Sequence, residues 1–231
     1  MAARIFRILF HLTKSQQREV TFAPVFAILA LASACDVSHP VVMSLADANL
    51  TGKLLIAMPD MSDPRFASTV IFMCSHSDEG AMGLIINKPQ PNVGFGQLLK
   101  QLGISKAAAA SNAQVYFGGP VERQRGFVLH GSDYSASTGT VNVNETFRMT
   151  ATLEVLEDMA KGAGPDLSLL ALGYAGWGPG QLEFEITQNG WLSCAPTTDV
   201  VFGAKASDKW TAALNLLGID PLLLSATAGR A

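Results

Sequence analysis

Between Ser68 and His76 the chain reads STVIFMCSH. From Val70 to Cys74 the apolar residues are consecutive, not alternate. Successive side chains of a strand point to opposite faces, so such a strand must be covered on both sides. The fold around it therefore needs a sheet with packing layers above and below. SDEGAMG at 77–83 reads as a turn and Leu84–Asn87 as the returning strand, which makes an antiparallel hairpin. Lys53–Met58 is a further short strand, stopped by Pro59. The two prolines and two aspartates of 59–66 mark a loop.

Helical spacing interrupts the strands irregularly. Phe95, Leu98, Leu99 and Leu102 recur at i, i+3, i+4 and i+7, ahead of Gly103. Leu153, Leu156 and Met159 precede Gly162, residues 181–188 precede Gly190, and Trp210, Ala213, Leu214 and Leu217 follow Ser207 or Asp208 as N-caps. Short strands are expected at 115–117, 126–130, 140–143, 147–150, 167–172 and 191–195, with a small-residue connector at 105–113. This pattern predicts an α+β single domain: a mixed, mostly antiparallel sheet with flanking helices. The strand at 68–76 is expected to be interior and buried.

At 48% hydrophobic and 15% charged residues, the 231-residue chain has the composition of a folded protein. No apolar run reaches the ~18 residues of a spanning helix. The net charge of −3 comes without a basic stripe, which disfavours direct nucleic-acid binding; the partner stays open, protein partners among the choices. Cys35, Cys74 and Cys194 have neither disulfide-framework nor zinc spacing, so no metal or other cofactor is expected. The usage suits a reducing cytoplasm.

Residues 1–42 read differently. Arg4, Arg7, Lys14 and Arg18 precede the apolar stretch FAPVFAILALASA at 22–34, and Cys35 follows. These are the parts of an export signal, which would place the protein outside the cytoplasm. Glu19 and Pro24 interrupt them, so the segment is read as an N-terminal extension ahead of a domain spanning 43–231, with a start at Met43 and few contacts to the body.

Nine stretches carry a family resemblance: LLIAMP at 54–59, DP with Phe66 at 63–66, CSH at 74–76, GAMGLIINKP at 80–89, GGPV at 118–121, RGFVLH at 125–130, LGYAGWGPGQLEFEI at 172–186, NGWL at 189–192 and DKW at 208–210. In this order they resemble the AlgH/YqgE family of bacterial proteins of unknown function. The resemblance implies a cytosolic, single-domain α+β protein with a central mixed sheet, whose members typically begin near the position of Met43. Some members are labelled transcriptional regulators. It implies no catalytic residue.

Three places carry candidate chemistry. The first is GYAGWGPG at 173–180, read as a turn between a strand and a helix. Gly173, Tyr174, Gly176, Trp177, Gly178 and Gly180 would present backbone N–H groups and two rings to an anion or carbonyl. Its spacing fits neither G-x-G-x-x-G nor a P-loop, and tight-turn geometry alone also explains the glycines. The second is Cys74 with His76, on one strand face, with His130 as a third member; their separation of about 7 Å is long for a direct bond. The third is a cleft formed by Asn87, Lys88, Gly118 and Gly119 with Asp60 and Asp63, whose alternative reading is turn chemistry. Trp210 reads as core, and Glu183 and Glu185 fall on different helix faces. No residue is assigned as catalytic.

Three functions stay open. One is a non-catalytic regulatory or interaction protein, favoured by the many punctuating glycines and the lack of paired titratable groups. Another is a small-molecule or nucleotide-binding enzyme using the 173–180 turn. The last is a transcriptional regulator that binds DNA, against which the acidic balance and the missing recognition-helix pattern count.

Overall fold

The computed structural model describes residues 49–61, 63–105 and 113–224. The segment 1–42, Met43 and most of the connector at 105–113 lie outside the described residues. The described chain is a single α+β domain built on one sheet of ten strands. These are β1 (Leu54–Ala57), β2 (Val70–Ser77), β3 (Gly80–Ile85), β4 (Pro89–Gly94), β5 (Gln114–Phe117), β6 (Val121–Gly131), β7 (Thr140–Asn142), β8 (Phe147–Thr150), β9 (Ser168–Trp177) and β10 (Trp191–Cys194). Eight lie side by side in the order β10-β1-β2-β3-β9-β6-β8-β7 and curl into a half-barrel. β5 joins β9 in parallel, the one parallel pair among the described strands, and β4 joins β5. The mixed, mostly antiparallel sheet expected from the sequence is the one observed.

The doubly apolar strand explains the layering. Val70, Phe72 and Cys74 of β2 enter one core with Leu54, Ile56, Leu84, Phe127 and Phe147. Ile71 and Met73 point to the other face and pack with Leu55, Ile85, Trp177 and Trp191. All five residues from Val70 to Cys74 are buried, between β1 and β3. Helix α1 (Phe95–Leu102) and helix α2 (Leu153–Lys161) end where Gly103 and Gly162 stand, and together cover Val128, Leu170 and Leu172. Helix α3 (Gln181–Thr187) sits on the Trp177 side, and helix α4 (Lys209–Leu216) closes the Phe72 side with Ala213 and Leu214. Among the described residues no helix is long and apolar enough to cross a membrane.

Three local readings change. Residues 80–83 are not turn but the start of β3; only Asp78 and Glu79 separate the paired Ser77 and Gly80. Pro89 does not end pairing, because the residues after it form β4. The strand expected at 167–172 runs on to Trp177, so five of the eight residues in the supposed glycine turn are strand. Its backbone bonds go to β3 and β6, a non-local pairing that glycine content does not reveal.

Candidate functional site

Two bulges decide which side chains share a surface. In β2 the register slips between Met73 and Ser75. Cys74 stays with Phe72 on one face, while His76 lies opposite Ala81 and belongs to the other. The slip separates the Cys74–His76 pair expected from simple alternation. In β9 the slip falls at Gly173, where φ is 75°. Leu169, Ala171 and Tyr174 then face the Phe72 core, while Leu172, Ala175 and Trp177 face the opposite way. Tyr174 and Trp177, three strand positions apart, therefore face opposite ways: Tyr174 lines one cleft, and Trp177 lines a second while also bordering the first.

The larger cleft has a volume of about 870 Å³. Met82, Val121, Phe127, Val141, Met149 and Tyr174 give it apolar walls, with Ser75, Ser77, Glu79 and Arg125 among them. Val121 and Val141 are exposed. Gly176 contributes no side chain, and a Cβ there would meet nothing nearer than the Tyr174 ring at 3.2 Å. The Arg125 guanidinium lies 5.1 Å above the Phe127 ring and pairs with Glu122 at 3.1 Å. Thr152 lines the same cleft, but its hydroxyl is buried behind the wall and has no hydrogen-bond partner among the described residues.

The second cleft, of about 450 Å³, lies across β9 against α3 and the 58–66 loop. Phe66, Trp177 and Trp191 contribute aromatic surface, with Phe66 and Trp177 each edge-on to Trp191 at 5.9 Å. One carboxylate oxygen of Glu185 accepts both indole N–H groups, at 3.0 Å from Trp177 and 2.8 Å from Trp191. Its other oxygen accepts from Gln181 at 2.9 Å. Asp63 takes a forked bond from Arg65, which holds its carboxyl below the usual range.

The other expected site residues are structural neighbours of these clefts. Gly118 and Gly119 do not line either one. They cross β9 at Gly173 so closely that a Cβ on Gly118 would overlap the Gly173 carbonyl oxygen, and one on Gly119 the Tyr174 backbone. Asn87 accepts the Val70 N–H at 2.9 Å and donates to the Ser68 carbonyl at 2.8 Å; Lys88 donates to the Arg65 carbonyl at 2.9 Å. Both therefore brace the loop that brings Asp60, Asp63 and Phe66 to the second cleft, and neither faces into it. The anion-receptive turn is not formed as expected. The Gly178 N–H donates to the Gln181 side chain at 3.1 Å, α3 has only seven residues, and the side chains gathered there include three carboxylates.

The nucleophile and base candidates are occupied. Cys74 is buried beneath the sheet and burial pushes its thiol up to about 12. His76 accepts the Leu50 N–H on Nδ1 at 3.1 Å, so Nε2 carries the proton and donates to Glu183 at 2.6 Å. His130, fully buried, donates from Nδ1 to the Gly131 carbonyl and accepts the Thr150 hydroxyl on Nε2, which in turn meets Thr140 at 2.7 Å.

Burial lowers the pKa of His130. The unfolded chain then binds a proton that the fold refuses, so His130 contributes stability above the ordinary value near 6.5 that is lost as pH falls towards its folded value. Urea midpoints at pH 7.5 and 5.5 are expected to drop less for His130→Gln than for the unaltered chain.

Sequence reasoning missed Val121, Arg125, Val141 and the indole-binding role of Glu185. The only signal for Glu185 was its position eight residues after Trp177 and six before Trp191.

A family model described as AlgH-like matches residues 54–222. The chain is similar to a UPF0301 protein of Ruegeria pomeroyi, 58% identical over 184 residues that cover 79% of this chain and 100% of the relative. A UPF0301 protein of Paracoccus denitrificans is 53% identical over 186 residues, 80% of this chain and 98% of the relative. The solution structure of the AlgH protein from Pseudomonas aeruginosa superposes with a TM-score of 0.66 at 39% identity, covering 85% of this chain and 100% of that one. A crystal structure of a Corynebacterium diphtheriae protein shares the fold, with a TM-score of 0.59 at 21% identity over 75% of this chain and 88% of that one.

Proposed function

The chain belongs to the AlgH-like family, and from that premise and its two clefts we propose that it is a non-catalytic regulatory or interaction protein. The 870 Å³ cleft is where it receives apolar side chains of a partner protein. One contrast carries this reading. The two cysteines and two histidines of the described residues are held inside the fold, whereas the larger of the two clefts is walled by Met, Val, Phe and Tyr side chains. Acid–base or nucleophilic chemistry needs a free group at the ligand. Apolar recognition needs an open wall with a few polar groups to orient the guest, here Arg125 and Glu79.

Gly176 supplies the test. Its backbone is ordinary strand, and a side chain there projects into the cleft beside the Tyr174 ring and the Val121 methyl. Anilinonaphthalene sulfonate, an apolar probe with one negative charge, is expected to bind the native protein saturably at one site. Gly176→Val is expected to weaken that binding at least tenfold while melting within a few degrees of the unaltered chain, since the added methyls occupy cleft volume and not backbone space. Equal probe binding by both proteins would remove the cleft from consideration.

A further inference from the structure

We infer that the second cleft is a binding site for a small organic ammonium cation, of the methylated or quaternary type. The inference stands on the walls of this cleft and not on the apolar cleft across β9. Four rings, Phe66, Trp177, Phe184 and Trp191, line a 450 Å³ space, with Phe66 and Trp177 each nearly perpendicular to Trp191 at 75° and 82°. Trp177 and Trp191 pack edge to face and are 7% and 4% exposed, so the ring surface open to a guest is that of half-buried Phe66 and of Phe184. The faces carry the negative end of the ring quadrupole, which attracts a cation with little hydration to lose.

The charges agree. Asp60, Asp63 and Glu185 line the same space, against a single cationic side chain, Arg65. That side chain already shows what the cleft accepts. Its guanidinium lies 5.8 Å from the centre of the Phe66 ring and is bonded to Asp63 at 2.6 Å, while remaining 58% exposed. It marks a cation position at the rim that a better-fitting cation extends inward. Glu185 sits between the two indoles and accepts three N–H bonds there. An anion would meet these carboxylates, which reverses the expectation drawn from the glycine-rich sequence.

Three molecules of one shape separate the alternatives: choline, the uncharged 3,3-dimethylbutan-1-ol and the anionic 3,3-dimethylbutyrate. Binding to the full chain is followed by calorimetry and by tryptophan fluorescence, since Trp177 and Trp191 line the space. Choline is expected to bind at least about tenfold more tightly than the alcohol, with the carboxylate weakest. Phe66→Leu is expected to weaken choline about fivefold or more, and Arg65→Gln to strengthen it about threefold by vacating the rim and freeing Asp63. The proposal is overturned if the alcohol matches choline, if the carboxylate binds most tightly, or if choline gives neither heat nor a fluorescence change at tens of millimolar. The comparison of the three molecules on the unaltered protein decides the matter even where a variant fails to fold.

Discussion

Gly118→Ala is expected to destabilise the domain by at least about 3 kcal/mol, enough to leave a large unfolded fraction in a protein of ordinary stability. The cause is backbone against backbone. Gly118 donates to the Leu172 carbonyl at 2.8 Å and accepts the Ile85 N–H at 2.9 Å, which ties β5, β9 and β3 together at one point. A Cβ there would overlap the Gly173 carbonyl oxygen and press on Ala171. No rotamer change relieves that overlap, so strands must separate and the two hydrogen bonds stretch. Gly176→Ala, two strand positions from Tyr174, is expected to cost under about 1 kcal/mol, because only side chains, the Tyr174 ring and the Val121 methyl, stand near it. Chemical denaturation of the two variants side by side tests the distinction. Equal costs would mean that the crossing is not as tight as described.

Glu185→Ala is expected to cost about 3 kcal/mol. Trp177 and Trp191 are 7% and 4% exposed, so their N–H groups cannot turn to water when the carboxylate is removed. Each buried donor left unpaired costs about 1–3 kcal/mol. Glu185→Gln keeps a carbonyl oxygen for both indoles and is expected to recover more than half of the loss. Thermal melts with tryptophan emission as a second readout check both statements. If Gln behaves like Ala, the charge matters more than the acceptor geometry.

Much of the fold was legible in local pattern. The consecutive apolar residues of β2 required two covering layers, and two cores fill them. Heptad-like spacing with a following glycine placed α1 and α2 within a residue or two of where they lie. What stayed hidden depends on partners distant in sequence. A strand's alternation is readable only where its register is regular, and the slips at Cys74 and Gly173 move every later side chain to the opposite face. The glycines of 173–180 are therefore visible as important in the sequence, but local pattern reads all eight residues as a turn. Gly173 permits the bulge, Gly176 leaves the cleft open, and only Gly178 and Gly180 belong to the turn. Tyr174, Gly176 and Trp177 were found by the aromatic and glycine signal. Val121, Val141 and Met149 join them only through the pairing of β6, β7, β8 and β9, for which the sequence has no local mark.

Methionine methyl groups report on the apolar cleft most directly. Met82 and Met149 line it, Met73 packs in the core on the other face of the sheet, and Met159 is on the buried face of α2. In protein labelled with carbon-13 at these methyls, titration with anilinonaphthalene sulfonate is expected to shift Met82 and Met149 together, along one saturable curve, and leave Met73 and Met159 in place. The same titration of Gly176→Val is expected to shift none of the four. Binding that moves Met73 or Met159 instead, or that moves Met82 and Met149 equally in the variant, would contradict the assignment of the cleft as the binding surface.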